Sequence, residues 1–338
     1  MDSSAPSSSD DPQATHPFSA LQPDRILDAL ESVGWRGDGR LLALNSYENR
    51  VYQAWMEDGS VVVAKFYRPE RWSDEQIFEE HAFTTELAEN ELPVVAPLIA
   101  QGTSLHHFEG YRFAVYPRRG GRAPELDDPD TLERIGRFIG RIHAIGARSA
   151  FASRPSLDIA AFGTEPRQWL LTHADIPADL LPAWQAAVDQ CLSAVEAAFE
   201  RAGALKRIRL HGDCHAGNVL WTDEGPHFVD FDDARTGPAI QDLWMMLSGT
   251  TLEATRQVND LLEGYRDFCD FDRRELQLIE PLRTLRLIHY SAWIARRWTD
   301  PAFPAAFPWF GTARYWQDRI LELREQLAAM SEPPIEIP

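Results

Sequence analysis

Three polar side chains in the second half of the chain have types and a spacing that suit chemistry on a phosphate group. Asp213 and Asn218 lie five residues apart in HGDCHAGNVLW, and Asp230 follows Asn218 by twelve residues in FVDFDD. A positioned carboxylate can orient an attacking hydroxyl, and carboxylate and amide oxygens are ligands that magnesium accepts. An acid and an amide on one loop, a short hairpin and a second acid form the arrangement that kinases use. The spacing therefore predicts phosphoryl transfer from a nucleotide, with chance alignment of three polar residues as the alternative.

A lysine on a strand in the first half of the chain would complete such a centre. In VVVAKFY the two-residue period of a strand places Val63, Lys65 and Tyr67 on one face. A kinase lysine in this position holds the α and β phosphates of the nucleotide, and Val63 would line the adenine pocket. Glu79 and Glu80 on the following helix both qualify as the ion-pair partner of Lys65, and we favour Glu80. An ordinary solvated strand lysine is the alternative for Lys65.

The segment NSYENRVY is the candidate phosphate loop. It contains no glycine, so it lacks the residues that let backbone amides approach the phosphates in glycine-rich kinase loops. Side chains must therefore do more of the binding. Ser46 and Asn49 can both donate hydrogen bonds to phosphate oxygens, and either could instead cap a turn.

The elements that must position these residues are strand-rich first and helical later. RVYQAWME and SVVVAKFY alternate in polarity and are joined by Asp58 and Gly59, which predicts a β-hairpin. An acidic helix follows, with Ser73 as its N-cap. Beyond Pro117 the patterns become mostly helical. We therefore predict an α+β fold of two lobes.

The predicted boundaries are a disordered tail at residues 1–17, a nucleotide-binding N-lobe at 18–116 and a catalytic and acceptor-binding C-lobe at 117–338. The tail is rich in Ser, Pro and Asp and has little apolar surface to bury. In the C-lobe, LERIGRFIGRIHAIG places apolar residues at steps of three and four, which predicts a helix with one buried face.

Composition limits the classes of partner. With 33 Lys plus Arg against 52 Asp plus Glu, the net charge of -19 disfavours nucleic acids and anionic membranes. Three scattered cysteines give no disulfide framework, which suits a reducing compartment. No apolar run is long enough to cross a bilayer, and the N-terminus has no basic segment typical of a signal peptide. We therefore expect a cytoplasmic protein.

Together, the motifs resemble the aminoglycoside phosphotransferase and choline kinase superfamily, which has a protein-kinase-like fold. Within it they are most similar to bacterial Ser/Thr protein kinases linked to envelope and oxidative stress responses. The resemblance covers about residues 20 to 325 and is carried by these segments: NSYENRVY, VVAKFYRPERW, EEHAF, GRFIGRIHAIG, LHGDCHAGNVLW, FVDFDDARTGPAIQDLW and RTLRLIHYSAWIARRW. It implies a monomeric enzyme that uses ATP and Mg²⁺.

The resemblance also implies a role for each matching residue. Asp213 matches the catalytic proton acceptor, and Asn218 and Asp230 match the magnesium ligands. Asp230 also counts as catalytic, and Ser46 matches a position in the nucleotide loop. Asp242 corresponds to a residue that braces the catalytic loop.

Other polar residues near the centre have less specific readings. His211 is predicted to hold the catalytic loop through backbone hydrogen bonds. Asp232 and Asp233 flank the magnesium site, either as ligands or as neighbours of the ligands.

Three functional classes remain open at this point. The first is a Ser/Thr protein kinase, which the resemblance favours. The second is a small-molecule kinase acting on a hydroxyl of an aminoglycoside, choline, homoserine or sugar, and the net charge of -19 suits a cationic acceptor. The third is a nucleotide-binding pseudokinase, disfavoured because Lys65, Asp213, Asn218 and Asp230 are all present.

The helix RTLRLIHYSAWIARRW, which includes Arg286, has two interpretations. It is either part of the core, with arginines whose charged ends reach solvent, or a wall of the acceptor site.

Overall fold

The computed structural model describes residues 16–337, and its first half is built around an antiparallel sheet. The strands are β1 (Gly37–Ala43), β2 (Arg50–Met56), β3 (Val61–Phe66), β4 (His106–Phe108) and β5 (Tyr111–Pro117). Their order in the sheet is β1-β2-β3-β5-β4. Because β3 pairs with both β2 and β5, the backbone of Lys65 is fixed on both sides. The predicted tail lies outside the described residues, except for His16 and Pro17.

Two helices accompany this sheet, α1 (Pro23–Ser32) and α2 (Asp74–Glu89). The predicted hairpin between β2 and β3 is confirmed, and Gly59 takes a positive φ of 84° in its turn. The predicted N-cap is confirmed as well, because Ser73 Oγ accepts a hydrogen bond from the backbone N–H of Gln76. The side-chain oxygen of Gln76 accepts a hydrogen bond from the backbone N–H of Ser73, which completes a capping box.

The second half is mostly helical, as predicted, so the α+β arrangement is confirmed. Its helices are α3 (Pro129–Gly146), α4 (Glu165–His173), α5 (Leu181–Ala202), α6 (Ile240–Trp244), α7 (Thr251–Tyr265), α8 (Ile279–Arg296), α9 (Ala302–Ala306) and α10 (Ala313–Ala329). Its short strands are β6 (Ile208–Leu210), β7 (Val219–Thr222), β8 (Gly225–Phe228) and β9 (Arg235–Gly237). Within residues 16–337, no helix combines the length and the apolar character needed to cross a membrane.

The apolar face predicted for α3 is buried in the core of the second half. Leu132, Ile135, Ile139 and Ile142 are each no more than 1% exposed. The same core includes side chains from the second half of α2, so α2 joins the sheet to the helical part. The division of the chain between residues 116 and 117 stays a prediction.

Close packing between α3 and α7 gives a prediction for stability. A Cβ atom at Gly136 would overlap the backbone carbonyl oxygen of Leu261. We expect Gly136→Ala to lower the free energy of unfolding by about 1–3 kcal/mol, the usual cost of overpacking. At a helix position with open space, the same change would raise stability by up to about 1 kcal/mol. Urea unfolding therefore tests the contact through the sign of the change in the free energy of unfolding. A Gly136→Ala variant that is more stable than the native protein would contradict the contact.

Candidate active site

The loop after β6 is held rigidly by two buried side chains. The carboxylate of Asp242 accepts the backbone N–H groups of His211 and Gly212, both at 2.8 Å. His211 connects the loop to the segment after β8, because its Nε2 lies 2.9 Å from the backbone oxygen of Val229. Gly212 has a φ of 85°, and a Cβ there would overlap the carbonyl oxygen of Asp233. The structural readings of His211 and Asp242 are therefore confirmed, and the loop presents Asp213 in one orientation.

Asp213 is surrounded by groups that stabilise its negative charge. Arg286 on α8 donates from Nη1 to Oδ1 at 2.7 Å, and His215 Nε2 lies 3.5 Å from Oδ2. Burial acts to raise the pKa of Asp213, but the hydrogen bond with His215 and the charge of Arg286 outweigh it and hold that pKa well below its usual range. Asp213 is therefore an ionised carboxylate at neutral pH.

Asp230 lies two residues beyond the end of β8, in a sparsely populated backbone conformation. Its φ of 60° and ψ of 62° lie in the left-handed region, which Asp and Asn tolerate better than most residues. This turn brings its Oδ1 to 2.9 Å from Lys65 Nζ, and Asp232 Oδ1 lies 3.1 Å from the same nitrogen. Burial acts to lower the pKa of Lys65, but the charges of Asp230 and Asp232 outweigh it and hold that pKa well above its ordinary value. Lys65 is thus a buried cation of the first half that contacts two acids of the second half.

One cavity of about 330 Å³ brings most of the predicted site residues together. The residues predicted for the site that line it are Ser46, Val63, Lys65, Glu80, Asn218 and Asp230. Asp213 lies beside this cavity rather than in its lining. It is joined to the cavity through Asn218, whose Nδ2 donates to the backbone oxygen of Asp213 at 2.9 Å.

Asn49, predicted to contact a phosphate, is buried away from the lining of the cavity. It is 3% exposed and outside the lining of the cavity. Its Nδ2 donates to Asp232 Oδ2 at 3.3 Å, and its Oδ1 accepts the backbone N–H of Arg68 at 3.0 Å. Both ends of the amide are therefore engaged within the protein, and the phosphate contact of Asn49 stays a prediction.

Glu80 reaches the cavity but does not form the predicted ion pair. Among the described residues, Lys65 has its ion pairs with Asp230 and Asp232, and no Glu80 oxygen lies within 4.0 Å of its Nζ. Glu79 points elsewhere, and its carboxylate accepts backbone N–H groups of residues 152–154. The packing of α2 thus places Glu80 rather than Glu79 on the cavity side, at a distance from Lys65.

The burial of Glu80 gives a pH-dependent prediction. Burial raises the pKa of Glu80 to about 7, although the nearby charges of Lys65 and Arg154 act to lower it. The same carboxyl titrates at about 4.5 without these surroundings, so between the two values the folded state retains a proton that the unfolded chain has released. The free energy of unfolding therefore falls as the pH rises through this window.

We expect Glu80→Gln to remove this loss. The variant should raise the melting temperature relative to the native protein at about pH 8 and change it little at about pH 5. Thermal unfolding at both pH values measures this, with the exposed Glu57→Gln as the matched control. A gain of equal size at the two pH values would contradict the assignment.

No local sequence pattern predicted the network of ion pairs that surrounds Asp232. Arg71 pairs with both Asp232 and Asp233, at 2.9 Å for the second. Burial acts to raise the pKa of Asp232, but Arg71 and Lys65 together lower it to about 2. Protein cations therefore neutralise Asp232, which makes it a partner of the neighbouring side chains instead of a free metal ligand. Arg71 lies in the segment RPERW, where its charge was the only feature that could have indicated a role in the site.

The donor set in the cavity fits a magnesium ion bound together with a nucleotide. Asn218 uses its nitrogen for Asp213, which leaves its Oδ1 as a ligand. Asp230 has a side chain that is 55% exposed and supplies a second, charged oxygen. Magnesium in kinases takes one or two carboxylate or amide ligands and fills its octahedron with phosphate oxygens and water. Across residues 16–337, no group of three or more His, Cys, Asp or Glu side chains forms a metal cage of its own.

Comparisons with known proteins give relatives along nearly the whole chain. Residues 40–279 match the family described as "Phosphotransferase enzyme family". Stress response kinase A of Escherichia coli strain K12 is 47% identical over 320 residues, covering 95% of this chain and 97% of the relative. Serine/threonine protein kinase RdoA of Salmonella typhimurium strain LT2 is 48% identical over 320 residues, with the same coverage of 95% and 97%. The similarity to stress-linked bacterial kinases that the motifs predicted is thereby confirmed.

Solved structures show the same fold at low sequence identity. Amicoumacin kinase hAmiN, in complex with AMP-PNP, Ca²⁺ and Ami, superposes with a TM-score of 0.72 at 17% identity, covering 94% of this chain and 96% of that one. A microcompartment-associated aminopropanol kinase gives a TM-score of 0.67 at 16% identity, covering 90% and 95%. The predicted bilobal, protein-kinase-like fold is therefore confirmed. With a family match over residues 40–279 and relatives nearly half identical along almost the whole chain, this protein is a kinase that belongs to the phosphotransferase enzyme family.

Proposed function

We propose that this kinase transfers the γ-phosphoryl group of ATP, with Mg²⁺, to serine or threonine hydroxyls of a protein. The observation that carries the proposal is the convergence of Lys65, Asn218 and Asp230 on one cavity, with Asp213 fixed at its edge. Phosphoryl transfer needs positioning and charge stabilisation more than covalent chemistry, and this arrangement supplies both.

Each residue has a defined task in the proposed reaction. Lys65 binds the α and β phosphates, and Ser46 donates a hydrogen bond from the loop above them. Asn218 and Asp230 hold the metal, which when bound neutralises charge on the phosphates. Asp213 accepts a hydrogen bond from the acceptor hydroxyl and takes its proton as the new P–O bond forms and the bond to the ADP leaving group breaks. The low pKa of Asp213 makes it chiefly an orienting group that receives the proton late.

The choice of a protein acceptor rests on the relatives of this chain rather than on the charge around Asp213. Arg286 lies 2.7 Å from Asp213, and its side chain is 43% exposed. Because this ion pair carries no net charge, it selects neither for nor against a cationic acceptor. The name of the Salmonella relative, a serine/threonine protein kinase, supports the same choice.

A small-molecule acceptor is the second candidate. It is favoured by the net charge of -19 and by the solved structures with this fold, which include an amicoumacin kinase and an aminopropanol kinase. We also propose that the enzyme acts in a stress response, which rests on the similarity to stress response kinase A. Its cytoplasmic location and monomeric state stay predictions from the sequence.

Incubation of the purified chain with radiolabelled ATP and Mg²⁺ distinguishes these functions. We expect label on serine or threonine of the chain itself or of a generic protein substrate, located by mass spectrometry. Turnover that depends on a metabolite from a panel of amino alcohols and sugars would favour the second candidate. Nucleotide binding without any transfer would contradict both and indicate a pseudokinase.

A further inference from the structure

The loop that carries Ser46 is held from outside by the second half of the chain. Glu48, two residues after Ser46, is only 9% exposed. Its Oε2 accepts a hydrogen bond from Trp293 Nε1 at 2.5 Å and lies 2.7 Å from Arg297 Nε. Its Oε1 lies 3.1 Å from Arg68 Nε. One buried carboxylate thus joins the loop to the C-terminal end of α8, and we call these four residues the loop clamp.

A second carboxylate reinforces the same junction. Asp300, 1% exposed and just beyond α8, pairs with Arg50 at 2.8 Å and with Arg68 at 2.6 Å. Arg50 is the first residue of β2, so the chain that follows the loop is anchored as well. Two buried acids therefore join the loop region to one end of α8. Breaking a buried ion pair is costly, whereas an exposed pair contributes little to stability.

The loop clamp supplies the positioning that a phosphate loop without glycine needs. Backbone amides in such a loop lack the freedom to close around phosphates, so the position of a few side chains must be set by other contacts. Ser46 lines the cavity and Glu48 does not, which separates the residue that faces the nucleotide from the residue that fixes the loop.

We propose that Glu48 is a positioning residue, whose contacts with Trp293 and Arg297 hold Ser46 at the distance required by the nucleotide phosphates. Helix α8 also carries Arg286, which contacts Asp213. The same helix therefore sets the loop and the carboxylate at the acceptor side relative to each other. This inference rests on the proposed function, because it assumes that the cavity binds ATP.

Steady-state kinetics of Glu48→Gln and Arg297→Gln test the clamp from its two sides. Misplacement of a positioning group by about 1 Å costs up to 10²-fold, so we expect the KM for ATP to rise roughly tenfold in both variants, with a much smaller change in kcat. The conservative Arg297→Lys should recover part of the loss. Arg314→Gln, which breaks the exposed pair with Asp318 on α10, removes the same charge far from the loop and should leave KM unchanged.

Titration calorimetry with AMP-PNP and thermal unfolding separate the possible failures. A native chain that binds no nucleotide would overturn both the proposed function and this inference. A native chain that binds, with Glu48→Gln and Arg297→Gln keeping the native KM and affinity, would overturn the inference alone, even if both variants melt earlier. If Glu48→Gln does not fold, Arg297→Gln decides by the same criterion.

Discussion

Replacing Asp213 with asparagine is expected to slow phosphoryl transfer by roughly 10²- to 10⁴-fold, the usual contribution of a positioned general base. Asparagine keeps the size of the side chain and still offers an oxygen to Arg286, which lies 2.7 Å from Oδ1. It cannot take the proton of the acceptor hydroxyl. Nucleotide affinity should stay close to that of the native protein, because Asp213 does not line the cavity. Single-turnover transfer and AMP-PNP binding measure the two effects separately.

The matched control for this variant is Asp223→Asn, which makes the same chemical change at an exposed site in the turn between β7 and β8. It should transfer phosphate at the native rate. Transfer by Asp213→Asn at a rate near that of the control would mean that another group orients the acceptor.

Replacing Asp230 with asparagine is expected to act on the metal instead of the acceptor. Asparagine is chosen over alanine because residue 230 has a φ of 60°, which Asn adopts at little cost. Loss of the charged ligand removes several kcal/mol of charge stabilisation, so we expect transfer to fall roughly a hundredfold or more. The concentration of Mg²⁺ at half-maximal rate should also rise.

The magnesium dependence provides the control. Asp213→Asn should keep the native Mg²⁺ requirement while its rate falls, whereas Asp230→Asn should shift that requirement and recover part of its rate at high Mg²⁺. An unchanged Mg²⁺ requirement in Asp230→Asn would remove Asp230 from the metal site.

Together, the two variants assign the two acids to separate tasks. A loss of rate with intact nucleotide binding assigns Asp213 to the acceptor hydroxyl. A rise in the Mg²⁺ concentration at half-maximal rate assigns Asp230 to the metal that binds with the nucleotide. The left-handed backbone at Asp230 and the braced loop at Asp213 position the two side chains independently, which is why we expect the two variants to behave differently.

Local patterns in the sequence were sufficient for the elements that carry the site. The hairpin around Gly59, the capped start of α2 at Ser73 and the buried face of α3 each follow from side-chain periodicity or from turn and cap chemistry within a few residues. The five-residue spacing of Asp213 and Asn218 is local in the same sense, since one short loop brings both together through a 2.9 Å hydrogen bond.

Only the tertiary structure decided which distant groups meet. Glu80 follows Lys65 closely in sequence, yet the packing of α2 leaves it outside ion-pair distance, while Asp230 and Asp232 from the other half reach the lysine. Arg286 reaches Asp213 across 73 residues, and Trp293 reaches Glu48 across 245. Periodicity specifies which face of an element is buried, but the partner of a charged side chain depends on how whole elements pack against each other, and that information is spread over the entire chain.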